Sequence, residues 1–206
     1  MIPEVFIQFD PSDKHDRKGC FFVLSGPSGV GKNTLVNLIL KEMRGIYYVP
    51  SVTTRAMRPG ESQMNPYAFV SVEQFENMIE KQQFLEWKRI HNNSYYGTHM
   101  PTILFAIDNG YDIITDMDVL GCEDAILRIP ERIYTIFVLP PSMDELSNRL
   151  LERDADTAAV KQRLERVPLE LGHKDRYDFT MINDNLEQSV NELRSIIQSV
   201  VEQRSE

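Results

Sequence analysis

The chain has 206 residues, 42% of them hydrophobic and 26% charged, enough to bury a sizeable core as one α/β domain, with or without small inserted subdomains. A formal net charge of −9 argues against broad binding to nucleic acid or to an anionic membrane, while leaving room for one phosphorylated small molecule held by a few converging arginines. No apolar run reaches the roughly 18 residues that a membrane-spanning helix requires.

In chain order, Met1 to Lys18 mixes Asp10, Asp13, Lys14, His15, Asp16, Arg17 and Lys18 with short apolar stretches and reads as an extension, not a signal peptide. Cys20 to Ser25 (CFFVLS) has the apolar texture of a buried parallel strand. Glycines break it, and Thr34 to Met43 follows as a helix with Leu35, Leu38 and Ile39 on one face. Ser51 to Thr98 differs: it is polar and rich in Tyr, Arg and Pro, with one predicted helix over Val72 to Lys81 capped by Ser71, and reads as an insertion. Core texture resumes with a helix over Thr102 to Asn109 ended by Gly110, then a strand Tyr111 to Thr115 running into Asp116. A helix over Leu120 to Arg128 and a strand Arg132 to Leu139 follow, then a helix Ser142 to Leu151 opened by a Ser142/Glu145 capping box. The charged segment Glu152 to Arg166 leads to a last strand, Tyr177 to Ile182, and a final helix, Leu186 to Gln203. Strands alternating with helices predict a parallel sheet covered on both faces. Cys20 and Cys122 read as reduced, packed thiols of a cytoplasmic protein, and His91, His99 and His173 show no metal-ligand spacing.

Gly26-Pro27-Ser28-Gly29-Val30-Gly31-Lys32 satisfies G-x-x-x-x-G-K between a predicted strand and a predicted helix. Glycines let backbone N–H groups wrap a phosphate at the helix N-terminus, and Lys32 can follow the charge of a phosphoryl group in transfer. A glycine-rich turn with an exposed lysine is the bland alternative. The next position usually carries Ser or Thr to help hold magnesium; here it is Asn33, with the hydroxyl of Thr34 one step later. Either the Asn33 amide oxygen or a water takes that place. Asp116, at the end of an apolar strand, stands where the second acidic element of such an enzyme orients Mg2+, directly or through water.

Further on, Ser51-Val52-Thr53-Thr54-Arg55-Ala56-Met57-Arg58-Pro59-Gly60-Glu61, Tyr67-Ala68-Phe69, Phe84-Leu85-Glu86-Trp87 and Tyr95-Tyr96-Gly97-Thr98 resemble the GMP-binding subdomain of guanylate kinases. The resemblance continues through Asp116-Met117-Asp118-Val119-Leu120-Gly121 and Asn183-Asp184, and covers roughly Cys20 to Ile197. It implies a three-layer α/β P-loop NTPase fold with a central parallel sheet, an inserted GMP-binding subdomain and a mobile lid. Residues 1–18 would be an extension, 19–50, 99–152 and 167–206 the core, about 51–98 the subdomain and about 153–166 the lid.

By the same resemblance Arg55, Arg58, Tyr67 and Tyr96 would hold the acceptor phosphate, a sensible set because forked guanidiniums and neutral phenols suit a dianion. Glu86 and Asp118 would read the guanine edge, since ionised carboxylates accept from N1–H and N2–H whereas adenine presents a lone pair at N1. Ser51 and Thr98 would add base contacts, and Asn183 would contact the adenine of ATP. Arg149, Arg153 and Arg163 would approach the triphosphate from the lid, with Arg153 the firmer assignment of the first two. There the likeness loosens: Asp154 replaces a common glycine, and Pro168 falls inside a helix, predicting a kink. The implied reaction is in-line transfer of the ATP γ-phosphoryl to GMP, and to dGMP as well, with Mg2+ and without nucleic-acid or membrane partners. Two alternatives stay open, a catalytically weak or inactive guanylate-kinase-like binding module and a related P-loop kinase with another phosphorylated acceptor. Oligomeric state is left open between monomer and homodimer.

Overall fold

A computed structural model describes residues 5–90, 93–153 and 156–204, apart from the side chain of Arg153. In chain order its main elements are β1 (Phe21–Ser25), α1 (Lys32–Glu42), β2 (Ile46–Tyr48), β3 (Val52–Thr53), β4 (Ala68–Phe69), α2 (Val72–Glu80), β5 (Phe84–Arg89) and β6 (Tyr95–His99). Then come α3 (Met100–Asp108), β7 (Asp112–Asp116), α4 (Val119–Arg128), β8 (Ile133–Leu139), α5 (Met143–Arg153), α6 (Thr157–Leu171), β9 (Phe179–Ile182) and α7 (Leu186–Gln203). Five strands form a parallel sheet in the order β2-β7-β1-β8-β9.

The alternation of side chains along a strand explains the unbroken apolar runs. Cys20, Phe22 and Leu24 point into one layer with Ile114, Ile136 and Val138, beneath α1, α5, α6 and α7. Phe21 and Val23 point into the other with Ile113, Ile133 and Phe137, beneath α3 and α4. Both faces of the sheet are therefore buried. Cys20 and Cys122 are free thiols that belong to opposite layers, and burial pushes each up to about 12. No helix among the described residues is long and apolar enough to cross a membrane.

A second sheet, β4-β3-β6-β5, lies between β2 and α3 in the chain. Its own small core gathers Val52, Ala68, Phe75, Met78 and Phe84 under α2, which a reciprocal Ser71/Gln74 capping box opens. A register shift between Phe84 and Glu86 re-aims the strand. Phe84 packs in this small core, Leu85 in the layer of α3 and α4, and Glu86 turns toward a cavity.

The extension is a structured strap. Phe6 sits in the small core with its ring 4.7 Å from His99, and its N–H donates to Thr102 at 3.0 Å. Phe9 stacks on Tyr111 at 4.5 Å in the main domain. Arg17 then grips Asp112 with both terminal nitrogens at 2.9 and 2.7 Å, and the same carboxylate accepts from Cys20 N–H at 2.7 Å.

Two differences from the sequence reading stand out. The segment 51–98, read as an insertion with one helix, also carries four strands, two of them only two residues long. The charged segment after α5 becomes most of α6, which keeps helical backbone through Pro168 and ends at Leu171. Pro168 lies in the last turn, where it removes one helical hydrogen bond, the one an N–H at that position would give the Leu164 carbonyl.

Candidate active site

β1 delivers the chain to the glycine-rich loop at the C-terminal edge of the sheet, and α1 begins at Lys32. Two glycines there are required by sterics. Gly26 has φ 132°, and a Cβ on it would meet the Val138 carbonyl oxygen at 2.3 Å; Gly31 has φ 94°, and a Cβ would meet Asn183 Nδ2 at 2.5 Å. Lys32 Nζ donates back to the carbonyls of Gly26 and Pro27 at 2.7 and 3.1 Å. Val30 is buried beneath the loop, and its carbonyl accepts from Asn183 Nδ2 at 2.7 Å. Arg149 in turn donates to the Asn183 carbonyl at 3.0 Å and pairs with Glu145. Asn183 and Arg149 thus brace the loop from behind.

In front of the loop lies a cavity of about 430 Å3, lined by Gly26, Ser28, Gly29, Gly31, Lys32, Asn33 and Thr34 and by Asp116. The face of α6 contributes Arg163, Arg166 and Glu170. Burial pushes the Glu170 carboxyl above the ordinary carboxylate range. Asp116, at the C-terminal end of β7, accepts from the Tyr48 hydroxyl at 3.0 Å, and burial beside this carboxylate pushes that phenol up.

A second cavity, of about 300 Å3, adjoins the first and runs under the smaller sheet. Asn33, Tyr67, Asp116, Met117 and Asp118 line both. Ser51, Glu86, Lys88, Ile90 and Tyr96 are among the residues that line only the second. Glu86 is held by Thr98, whose hydroxyl donates to Oε1 at 2.8 Å from the paired strand, and burial raises its pKa despite that bond. Asp118 caps α4 by accepting from Gly121 N–H at 2.9 Å and forms an ion pair with Lys88. Burial lowers the Lys88 pKa. A Cβ on Gly121 would lie 3.1 Å from Glu86 Oε2 and 3.2 Å from Asp118 Oδ1, so both carboxylates crowd the start of one helix.

Arg55 lines neither cavity; it is held by Glu61 through both terminal nitrogens and lies 5.3 Å from the centre of the Tyr67 ring, which faces both. The pairing raises the Arg55 pKa and lowers that of Glu61. The rings of Tyr67 and Tyr96 meet edge to face at 5.6 Å. Arg58 is exposed and lines neither cavity; its N–H donates to Glu61 at 2.7 Å.

Of the residues singled out in the sequence, the structure brings Gly26, Ser28, Gly29, Gly31, Lys32, Asn33, Thr34, Asp116 and Arg163 to the first cavity and Ser51, Tyr67, Glu86, Tyr96 and Asp118 to the second. Thr98 stands behind Glu86, and Asn183 behind the loop. The Arg153 side chain and Asp154 lie outside the described residues. Sequence reasoning passed over Tyr48, Lys88, Arg166 and Glu170. Residues 163, 166 and 170 share one helical face, so the last two were within reach of the helical period. Lys88 needed Glu86 to be read as part of a strand, because it is the next residue on the same side.

Comparison with known proteins agrees with this geometry. A family model described as guanylate kinase matches residues 18–200. The chain is 41% identical to a guanylate kinase of Desulfitobacterium hafniense over 180 residues, covering 87% of this chain and 89% of that one. It is 38% identical to a guanylate kinase of Haemophilus influenzae over 185 residues, covering 88% of each. A crystal structure of guanylate kinase from Anaplasma phagocytophilum superposes with a TM-score of 0.68 at 27% identity, covering 89% of this chain and 87% of that one. With the phosphate loop, the paired cavities and these relatives in agreement, the chain belongs to the guanylate kinase family.

Proposed function

We propose that the first cavity holds the phosphates of ATP, the second holds GMP, and the chain transfers the γ-phosphoryl group directly between them. The family and its relatives support an ATP-dependent phosphotransferase acting on GMP. The observation that carries the residue assignment is the shared wall: Asn33, Tyr67, Asp116, Met117 and Asp118 face both cavities, so a donor phosphate and an acceptor phosphate would meet there. Catalysis then comes from positioning and charge neutralisation, and the acceptor phosphate, already ionised at neutral pH, needs no general base.

In this reading the loop N–H groups and Lys32 take the β- and γ-phosphates, and Arg153 and Arg163 neutralise the migrating group. Arg55 and Arg58, with Tyr67 and Tyr96, hold the acceptor phosphate. Glu86 and Asp118, with Ser51 and Thr98, read the purine, and Asn183 supports the adenine end. Residues 51–98 act as the acceptor subdomain and 153–166 as a lid that closes on ATP and excludes water. dGMP is an acceptor too, because none of the assigned contacts requires the 2′-hydroxyl.

The oxygen donors around the shared wall suit Mg2+, a hard cation commonly held by one or two carboxylates, waters and substrate phosphates. Asp116 would hold it directly or through water, with the Asn33 amide oxygen or a water beside it. When bound, it neutralises phosphate charge. The two buried thiols, on opposite sides of the sheet, support a reducing cytoplasmic setting.

The test is an ATP-consumption assay with GMP, dGMP, AMP and UMP as acceptors, run beside Lys32→Ala. Turnover with GMP and dGMP is expected, and Lys32→Ala should lower kcat by roughly 10²–10³-fold while GMP still binds by calorimetry. Absence of turnover with every acceptor would leave a nucleotide-binding module instead.

A further inference from the structure

Glu86, Lys88 and Ile90 all line the acceptor cavity, whereas Trp87 and Arg89 between them line neither cavity. Lys88 lies opposite Tyr96 in the paired strand, and Glu86 lies opposite Thr98. An ammonium group is therefore built into the same wall as the two carboxylates assigned to the purine. Three of the four carboxylate oxygens already have a protein neighbour. Glu86 Oε1 accepts from Thr98, Asp118 Oδ1 accepts from Gly121 N–H, and Asp118 Oδ2 pairs with Lys88. For a purine N–H to reach Asp118 Oδ2, Lys88 must share that oxygen or move.

Guanine supplies the place for it to move to. The base presents donors at N1 and N2 and acceptors at O6 and N7, and a lysine or arginine on O6/N7 is a standard way of reading guanine in nucleic acids. Carboxylates alone answer only the donor side. We propose that Lys88 is a specificity-determining residue of this acceptor site, parked on Asp118 in the free protein and handed to the O6/N7 acceptor edge of guanine when the purine binds. Adenine would be refused twice. Its N1 lone pair faces a carboxylate, and its 6-amino group faces the ammonium. Lys88 also offsets one of the three carboxylates, Glu86, Asp116 and Asp118, that line this cavity, which eases the approach of an anionic nucleotide.

The inference rests on the assignment of the second cavity to GMP, and its test separates the two. Wild type, Lys88→Met, Lys88→Arg and Glu86→Gln are compared with four acceptors: GMP, AMP, 6-thio-GMP, which replaces O6 by a weakly accepting sulfur, and 7-deaza-GMP, which lacks N7. Wild type should favour GMP over AMP and lose roughly 10-fold in kcat/KM with one or both altered guanines. Lys88→Met should raise the KM for GMP roughly 10-fold with kcat nearly kept, and should treat GMP and the altered guanines alike within a factor of about two. Lys88→Arg should recover part of both effects. A purely structural lysine would weaken all four acceptors by one factor and leave their ratios unchanged. That result, or an unchanged KM for GMP in Lys88→Met, overturns the proposal while the GMP assignment stands. If wild type shows no preference for GMP over AMP, or Glu86→Gln leaves that preference intact, the purine assignment itself falls and the role of Lys88 with it.

Discussion

Arg55 and Glu61 are joined end to end, with two hydrogen bonds of 3.0 and 2.8 Å between the guanidinium and the carboxylate. Six residues apart, they clip the loop between β3 and β4 into a fixed shape, because Glu61 also accepts from the backbone N–H of Arg58 at 2.7 Å. Under the proposed assignment, the Arg55 guanidinium is thus fixed in place beside the acceptor site before any ligand arrives, and preorganisation of this kind lowers the cost of binding.

Removing either partner should have different consequences. Arg55→Ala should lower kcat/KM for GMP by roughly 10- to 100-fold, the worth of a hydrogen bond to a charged group. Glu61→Ala should act mainly on the KM for GMP, because Arg55 keeps its charge and loses its aim. Steady-state kinetics at varied GMP checks both, and equal effects on kcat would contradict the positioning role of Glu61.

Burial holds the Glu86 carboxyl above the ordinary range, with Thr98 and Lys88 pulling the other way and Asp124 adding to the rise. As pH falls, this acid takes up its proton before exposed carboxylates do, and an acceptor for the purine becomes a donor. GMP affinity should therefore decline on acidification earlier than in a protein whose base reader has an ordinary carboxylate pKa. Titrating GMP binding by calorimetry between neutral and acidic pH checks this. Glu86→Gln should bind GMP weakly at every pH and lose the acid limb.

His99 is buried at the junction of β6 and α3, against the Phe6 ring and the Thr102 hydroxyl, and its pKa falls from 6.5 to about 4 through desolvation. The sign follows from linkage. The unfolded chain takes up the proton first, so the contribution of neutral His99 is complete above pH 6.5 and is lost as pH falls toward about 4. The loss should total about 3 kcal/mol from this residue. Urea unfolding across that window measures it, and His99→Asn should flatten the dependence.

Gly31 combines a left-handed backbone with a close neighbour, since its φ is 94° and a Cβ would meet Asn183 Nδ2 at 2.5 Å. Gly31→Ala should cost about 1–3 kcal/mol of stability and weaken ATP binding by disturbing the Asn183 to Val30 bond. Adding Asn183→Ala should relieve the steric part and leave the backbone part. Denaturant midpoints of the three variants separate the two contributions.

Arg17 and Asp112 are both largely shielded from solvent. Arg17→Met should destabilise the protein by about 3 kcal/mol, because it leaves the buried Asp112 carboxylate with only the Cys20 N–H and His15 beside it among the described residues, while the KM values for both substrates stay near wild type. A matching rise in either KM would place the strap closer to the chemistry than this structure does.

Much of the central domain was legible because a strand buried on both faces must be largely apolar, as β1, β8 and the Ile113–Ile114 centre of β7 are. The final helix was recovered from Leu186 to Gln203 by its period alone. Glu86 and Asp118 were legible as a pair only through family resemblance. The register shift at Phe84 that aims Glu86, and hence Lys88, has no signature in a single sequence. β3 and β4, two residues each, are too short for alternation to register. The strap escaped notice for another reason: its anchors Phe6, Phe9 and Arg17 are scattered over residues 6–17, and each is seated on a partner at least 38 positions away.

Phe6 and Phe9 pack in different cores, one under the small sheet and one against the main domain, and the Phe6 N–H ties that end to Thr102 of α3 as well. The three steps of chain between them span at most about 10 Å when fully drawn out. While both rings stay seated, that slack is a leash. Should the small sheet swing outward to admit a nucleotide, it would cap how far that sheet goes, and no residue of the strap lines either cavity.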